Sequence, residues 1–113
     1  MKNLFDIRGR VVVVTGGAGI LGRSICVYLA GQGACVAVLD RDEKAGEALV
    51  GEIRAAGGDA LFFATDVLNR EVLVSNREAI LGAWGQIDIL LNAAGGNMGG
   101  ATIAPDKSFL DLE

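Results

Sequence analysis

The residues best suited to chemistry lie between Val11 and Gly22. Four consecutive valines and Thr15 are followed by a glycine-rich segment, Gly16–Gly22. Within it, Gly17-Ala18-Gly19-Ile20-Leu21-Gly22 fits G-x-G-x-x-G, a turn that brings the backbone close to a dinucleotide pyrophosphate at a helix N-terminus. The motif alone is weak evidence, because a chain with 17 glycines among 113 residues matches such patterns by chance. Glycines at a strand–helix junction can also serve packing alone.

A second candidate, Asp40, ends the next apolar run. It lies 18 residues after Gly22 and 23 after Gly17, which suits the acidic residue that binds the ribose hydroxyls of adenosine. A carboxylate there repels a 2′-phosphate, so the sequence predicts NAD rather than NADP. Arg41 follows directly and could pair with a phosphate if its side chain turned inward. The simpler interpretation of Arg41 is a solvated charge at a helix entry.

Two further polar residues follow later apolar runs. Asp66 could accept a hydrogen bond from an adenine amino group, or it could be a loop acid near the positive end of the next helix. Asn92 could cap backbone groups, or it could end its strand in an Asx turn. The carboxyl ends of parallel strands form the edge at which open α/β sheets bind ligands. Both residues are therefore expected at one edge with Asp40.

The composition excludes several other functions. Two cysteines and no histidine make a zinc site or a histidine-based triad implausible, so no metal site is expected; Cys26 and Cys35 are expected to be small buried hydrophobic residues. A net charge of −4, spread without blocks, argues against nucleic acid or anionic membrane as a partner. The sequence has no apolar run near the ~20 residues of a membrane span and no signal-peptide h-region, so we expect a cytoplasmic protein.

Alternating patterns predict the elements that position these residues. The predicted strands cover residues 11–14, 34–39, 60–64 and 87–91, with a helix in each interval. Glycines at 31 and 33, at 57 and 58, and at 85 are expected to end the three helices, and Asn69 is expected to cap the third. The order βαβαβαβ predicts an α/β fold with a doubly wound parallel sheet and the strand order 3-2-1-4.

Helical spacing also predicts the buried faces of the helices. The first helix is expected to bury Ile20, Leu21, Ile25, Tyr28 and Leu29. The second is expected to bury Ala45, Ala48, Leu49, Ile53 and Ala56. The third is expected to bury Val72, Leu73, Asn76, Ala79, Ile80, Ala83 and Trp84. This assignment makes Tyr28, the single tyrosine, a core residue rather than a catalytic acid.

Three motifs resemble those of the short-chain dehydrogenase/reductase family. Residues 15–22 are similar to its T-G-x-x-x-G-x-G turn, Asp66-Val67 to its adenine-contacting Asp-Val pair, and Asn92-Ala93-Ala94-Gly95 to its N-A-G motif. The resemblance implies a Rossmann-type domain and hydride transfer between NAD and a secondary alcohol or ketone. The cofactor residues expected from the motifs and the resemblance are Gly16, Ala18, Gly19, Ile20, Leu21, Gly22, Asp40, Arg41, Asp66, Val67, Asn92, Ala93, Ala94 and Gly95.

The sequence departs from the family pattern at Ile20, which occupies the place of the middle glycine. Either Gly19 supplies the clearance, or the cofactor sits slightly differently. A branch that resembles D-mannonate oxidoreductases (fructuronate reductases) tolerates a bulky residue there. Residues 94–97, 101–102 and 108–112 are also similar to that branch, which implies a sugar acid as substrate.

The family's catalytic tyrosine and lysine, spaced four residues apart, and its upstream serine have no counterpart in the 113 residues. The chain is therefore expected to be the N-terminal part of a single Rossmann domain, inactive by itself, from an enzyme expected to form homo-oligomers. Ser108–Asp111 fits a capping box that begins a further helix. The fourth strand is expected to expose its outer edge and to favour self-association. The alternatives are a non-catalytic nucleotide-binding or assembly module that ends naturally at residue 113, and a structural fragment without a ligand.

Overall fold

The structure, a computed structural model, describes residues 6–93 and the backbone of residues 102–105. The elements in chain order are β1 Val11–Thr15, α1 Ile20–Gly31, β2 Cys35–Asp40, α2 Glu43–Ala55, β3 Asp59–Ala64, α3 Arg70–Trp84, β4 Ile89–Asn92 and β5 Thr102–Pro105. The predicted capping box at 108–111 lies outside the described residues. The alternation of strands and helices through β4 confirms the predicted order.

One sheet with the strand order β3-β2-β1-β4-β5 forms the centre of the fold. Strands β1 to β4 are parallel, which confirms the predicted order 3-2-1-4. The valines of β1 are buried on both faces of the sheet. Val12 and Val14 belong to the core that includes buried residues of α1 and α2, whereas Val11 and Val13 pack with residues of α3. Burial on both faces explains why β1 is an uninterrupted apolar run rather than an alternation of apolar and polar residues.

Strand β5 corrects the expectation of an open β4 edge. It pairs antiparallel with β4, in a register that sets Ala104 opposite Leu90 and Pro105 opposite Ile89. A four-residue strand ending in proline has no alternating pattern to reveal it, and proline is tolerated at the edge of a sheet. Because the β4 edge is paired, it offers no reason for self-association. The oligomeric state remains a prediction.

Helix α1 buries the predicted face only in part. Its buried residues are Gly22, Cys26 and Ala30, whereas Ile20 is 93% exposed and Tyr28 is 64% exposed. The small residues let the helix lie close to the sheet. Of the predicted residues, Ile25 and Leu29 are partly buried against the core, whereas Ile20, Leu21 and Tyr28 are exposed. The prediction that Tyr28 is a core residue was wrong.

For α2 and α3, the predicted ends agree with the structure better than the predicted buried faces do. Asp42 and Asn69 cap α2 and α3 by accepting bonds from backbone N–H groups, and Gly85 ends α3 in the left-handed conformation with φ +79°. Four alanines expected inside are exposed: Ala48, Ala56, Ala79 and Ala83. Gly46 and Val50 are buried in α2 instead.

Candidate cofactor site

A cleft of about 280 Å³ lies at the carboxyl edge of the sheet. Its lining residues come from the segments that end or follow β1, β2, β3 and β4. They are Gly16, Gly19, Leu39, Asp40, Arg41, Thr65, Val67 and Ala93. Six of these eight were predicted from the sequence, and the structure brings them together from four separate strand ends. Leu39 and Thr65 were not predicted.

The turn after β1 folds tightly against the start of α1. Gly16 has a φ of +71°, a conformation that glycine adopts without strain, and its N–H donates to the carbonyl of Leu39 at 2.7 Å. A Cβ on Gly22 would lie 2.2 Å from the carbonyl oxygen of Gly16. Glycine at position 22 is therefore required for the first turn of α1 to approach the loop.

The N-terminus of α1 differs from those of α2 and α3. Its N-cap residue, Gly19, supplies no side-chain hydrogen bond, and its first turn contains no acidic residue. The N–H groups of a first helical turn have no partners within the helix, and together with the helix dipole they favour an anion. This end of α1, beside the cleft-lining Gly19, is therefore suited to a phosphate group.

Asp40 connects the end of β2 to the glycine turn. Its Oδ2 accepts a hydrogen bond from the backbone N–H of Ala18 at 3.0 Å, and its Oδ1 accepts one from the N–H of Asp42 at 2.9 Å. A carboxylate has about four acceptor sites, so capacity remains for ligand hydroxyls. The neighbouring Arg41 is exposed and lines the cleft.

The segment after β3 forms another wall of the cleft. Thr65 is only 3% exposed and lines the cleft with Val67. Asp66 is not among the lining residues; its Oδ1 accepts a hydrogen bond from the N–H of Leu68 at 3.0 Å. The carboxylate of Asp66 therefore shapes the local turn, and its contact with an adenine amino group stays a prediction.

The ends of β1 and β4 are joined by side chains. The hydroxyl of Thr15 donates to Oδ1 of Asn92 at 2.8 Å, and the N–H of Ala93 donates to the carbonyl of Thr15 at 2.9 Å. Asn92 thus fixes the edge of the sheet, and the next residue, Ala93, lines the cleft. Ala94 and Gly95 lie outside the described residues.

Four predicted residues in the glycine turn and the first turn of α1 do not line the cleft. They are Ala18, Ile20, Leu21 and Gly22. Ile20 begins α1, and its side chain points into solvent, whereas Gly19 lines the cleft. Of the two alternatives for Ile20, clearance supplied by Gly19 fits this geometry.

The described residues have few groups for acid–base or metal chemistry. Tyr28 lies on the exposed face of α1 and does not line the cleft. No group of three or more histidine, cysteine, aspartate or glutamate residues in the described part of the chain could hold a metal ion. None of the described helices is both long and apolar enough to cross a membrane. What the geometry offers is a set of backbone and carboxylate groups for binding a ligand.

Comparison with known proteins identifies the family. The short chain dehydrogenase family model matches residues 10–111. The chain belongs to the short-chain dehydrogenase family. An uncharacterized oxidoreductase, UxuB, of Bacillus subtilis is 46% identical over 92 residues, which cover 81% of this chain and 33% of that protein. The relatives include oxidoreductases such as UxuB and a cyclohexanol dehydrogenase of a Rhodococcus species, and the cleft lies at the edge of the sheet where such a fold binds a dinucleotide.

Solved structures of oxidoreductases share the fold. A Haemophilus influenza protein provisionally assigned as a D-mannonate oxidoreductase, with bound NAD, superposes with a TM-score of 0.72 at 30% identity, covering 75% of this chain and 30% of that one. A metagenomic short-chain oxidoreductase in complex with NADP superposes with a TM-score of 0.71 at 34% identity, covering 75% of this chain and 38% of that one. The chain thus spans about a third of the length of these relatives.

Proposed function

We propose that this chain is the cofactor-binding portion of an NAD-dependent short-chain dehydrogenase, which transfers hydride between nicotinamide and a secondary alcohol or ketone. The family membership supports the oxidoreductase class. The choice of NAD over NADP rests on one observation, the carboxylate of Asp40 in the cleft wall beside the glycine turn.

The position of Asp40 suits the ribose of the adenosine half. Its carboxylate can accept hydrogen bonds from the ribose hydroxyls, while its bond to the N–H of Ala18 keeps it next to the turn. A 2′-phosphate would bring a second negative group to the same place, where like charges repel. Arg41 offers partial compensation, but its side chain is exposed, so solvent screens its charge.

The other groups have complementary roles in this proposal. The N–H groups at the start of α1 bind the pyrophosphate, with Gly16 and Gly19 allowing the close approach. Val67 borders the adenine, and Ala93 lies at the edge that continues toward the nicotinamide. Bound NAD would supply the site of hydride transfer, and this chain's residues would bind and orient it.

The substrate class is proposed as a sugar acid such as mannonate or fructuronate. The support is the similarity of residues 94–97, 101–102 and 108–112 to the D-mannonate oxidoreductase branch and the fold shared with the NAD-bound Haemophilus influenza protein. The proton-transferring tyrosine and its lysine would come from the rest of the enzyme, so the chain alone is proposed to be inactive.

Titration calorimetry of the 113-residue chain with NAD and NADP tests this proposal. We expect NAD to bind with a dissociation constant at least tenfold below that of NADP. Loss of a hydrogen bond to the Asp40 carboxylate, or repulsion of the 2′-phosphate by it, costs about 1.5–3 kcal/mol. No binding up to millimolar NAD, or tighter binding of NADP, would overturn it.

A further inference from the structure

Asn76 is a buried amide within the apolar row that α3 directs at the sheet. Only 6% of its surface is exposed, and Leu73 and Ile80, its neighbours in this row, are also buried. A buried amide costs free energy unless it is hydrogen-bonded. Its hydrogen-bond partner is a cleft residue, so this amide joins α3 to the candidate site.

The partner of Asn76 is the hydroxyl of Thr65. Nδ2 of Asn76 donates to Oγ1 of Thr65 at 2.8 Å, and that hydroxyl donates to the carbonyl oxygen of Phe63 at 2.8 Å. The hydroxyl therefore donates its proton to Phe63, and a lone pair on Oγ1 accepts the hydrogen bond from the Asn76 amide. These two bonds hold the Thr65 side chain in one orientation, away from a role as donor to a ligand.

Thr65 also fixes where the loop after β3 begins. Its N–H donates to the carbonyl of Asp40 at 2.9 Å, which extends the pairing of β2 and β3 by one residue. Asp66 then begins a local turn, and Val67 returns to line the cleft. The placement of Thr65 consequently sets the distance between two sides of the cleft, one lined by Asp40 and the other by Val67.

We propose that Asn76 is a positioning residue for the adenosine end of the cofactor cleft. It acts through Thr65, without touching the ligand, by holding the wall that the adenosine contacts. This inference rests on the proposed function, because it requires an adenosine in the cleft. It also accounts for an amide in a row that otherwise buries leucine and isoleucine.

The test measures the affinity of the 113-residue chain for AMP and for NAD by calorimetry. Asn76→Leu removes the donor while keeping the branched shape of the side chain, and Thr65→Val removes the hydroxyl. The double variant measures their coupling. Ile80→Val is the matched control, since Ile80 is buried in the same row of α3 but does not line the cleft.

We expect Asn76→Leu to raise the dissociation constants of AMP and NAD about fivefold. Thr65→Val should have a similar effect, and the double variant should lose little more than either single variant. The Ile80→Val control should lower the denaturant midpoint while the AMP affinity stays within twofold of the unsubstituted chain. If Asn76→Leu does not fold, Asn76→Ala and Thr65→Val carry the same comparison.

Two results would overturn the inference, and they are distinguishable. If the unsubstituted chain binds AMP and NAD, and the position-76 variants bind them within twofold as tightly, Asn76 is only a structural residue and the proposed function stands. If the unsubstituted chain binds neither probe at millimolar concentration, the proposed function fails and the positioning role fails with it.

Discussion

The carboxylate of Asp40, at the end of β2, accepts a hydrogen bond from the backbone N–H of Ala18, 22 residues earlier in the turn after β1. The bond closes the cleft wall between two strand ends and leaves acceptor sites for ligand hydroxyls. One side chain thereby supports the turn and supplies the negative charge on which the choice of cofactor depends.

Asp40→Ala should weaken the preference for NAD. Loss of the carboxylate removes the ribose acceptor and the repulsion of a 2′-phosphate, so the ratio of the NADP and NAD dissociation constants should fall about tenfold. Calorimetry with both cofactors measures this ratio.

Asp42→Ala is the matched control for the Asp40 variant. It removes an equal charge two residues away, but Asp42 caps α2 through a bond from the N–H of Ala45. We expect a loss of about 1 kcal/mol in the free energy of unfolding and an unchanged cofactor ratio. An unchanged ratio in the Asp40 variant would remove that residue from the site.

Gly22→Ala should destabilise the chain through its backbone contacts. The added Cβ would lie 2.2 Å from the oxygen of Gly16 and 2.7 Å from Cα of Gly17, so the turn must move, at a cost of about 1–3 kcal/mol. Denaturant unfolding measures this loss. Cofactor affinity should fall as well, because the displaced turn no longer presents its N–H groups.

Gly31→Ala, at the other end of the same helix, provides the comparison. A Cβ there meets nothing within 4 Å, so alanine should raise the free energy of unfolding by about 0.5–1 kcal/mol. Equal effects of the two substitutions would contradict the close approach of α1 to the turn.

Cys26 should resist alkylation in the folded chain. Burial raises the pKa of its thiol to about 12, and its side chain is 0% exposed beneath the glycine turn. Cys35 is partly exposed; burial, together with the neighbouring Asp59, raises its thiol pKa as well. Iodoacetamide at pH 8 should label Cys35 slowly and Cys26 only after denaturation, with the sites located by mass spectrometry. Labelling of Cys26 first would contradict this packing.

The raised pKa of the Cys26 thiol also predicts a loss of stability at alkaline pH. In the unfolded chain Cys26 loses its proton near the ordinary value of 9.0, whereas the folded value is about 12. The unfolded state therefore binds fewer protons between these values, and the free energy of unfolding falls as the pH rises through that window. The fall should be smaller in Cys26→Ala over pH 9–10.5. Parallel stability curves for the two chains would contradict the prediction.

The sequence predicts the sheet and most of the cleft because strong local patterns encode them. The β1 valines and the glycine turn identify the switch from strand to helix, and Asp40 follows at the expected distance. Thr65 was missed because a threonine at a strand end carries no signal of its own. Its role appears only when Asn76, 11 residues later, is seen to bond it.

Part of the buried face of α1 was mispredicted for a related reason. Periodicity counts large apolar residues, but close packing against the turn and the sheet selects the small residues Gly22, Cys26 and Ala30. Tyr28 and Ile20 then point outward. The edge strand β5 was missed because four residues that end in proline show no alternation and gain their pairing only from β4.

An NMR titration of the ¹⁵N-labelled chain with NAD tests the central claim most directly, since it reports which backbone N–H groups meet the cofactor. The largest shifts are expected at Gly16, Gly19 and Val67, with little change at Gly57 and Gly85, which lie at the opposite ends of the strands. Shifts confined to that opposite edge, or none at millimolar NAD, would contradict a cofactor site at the glycine turn.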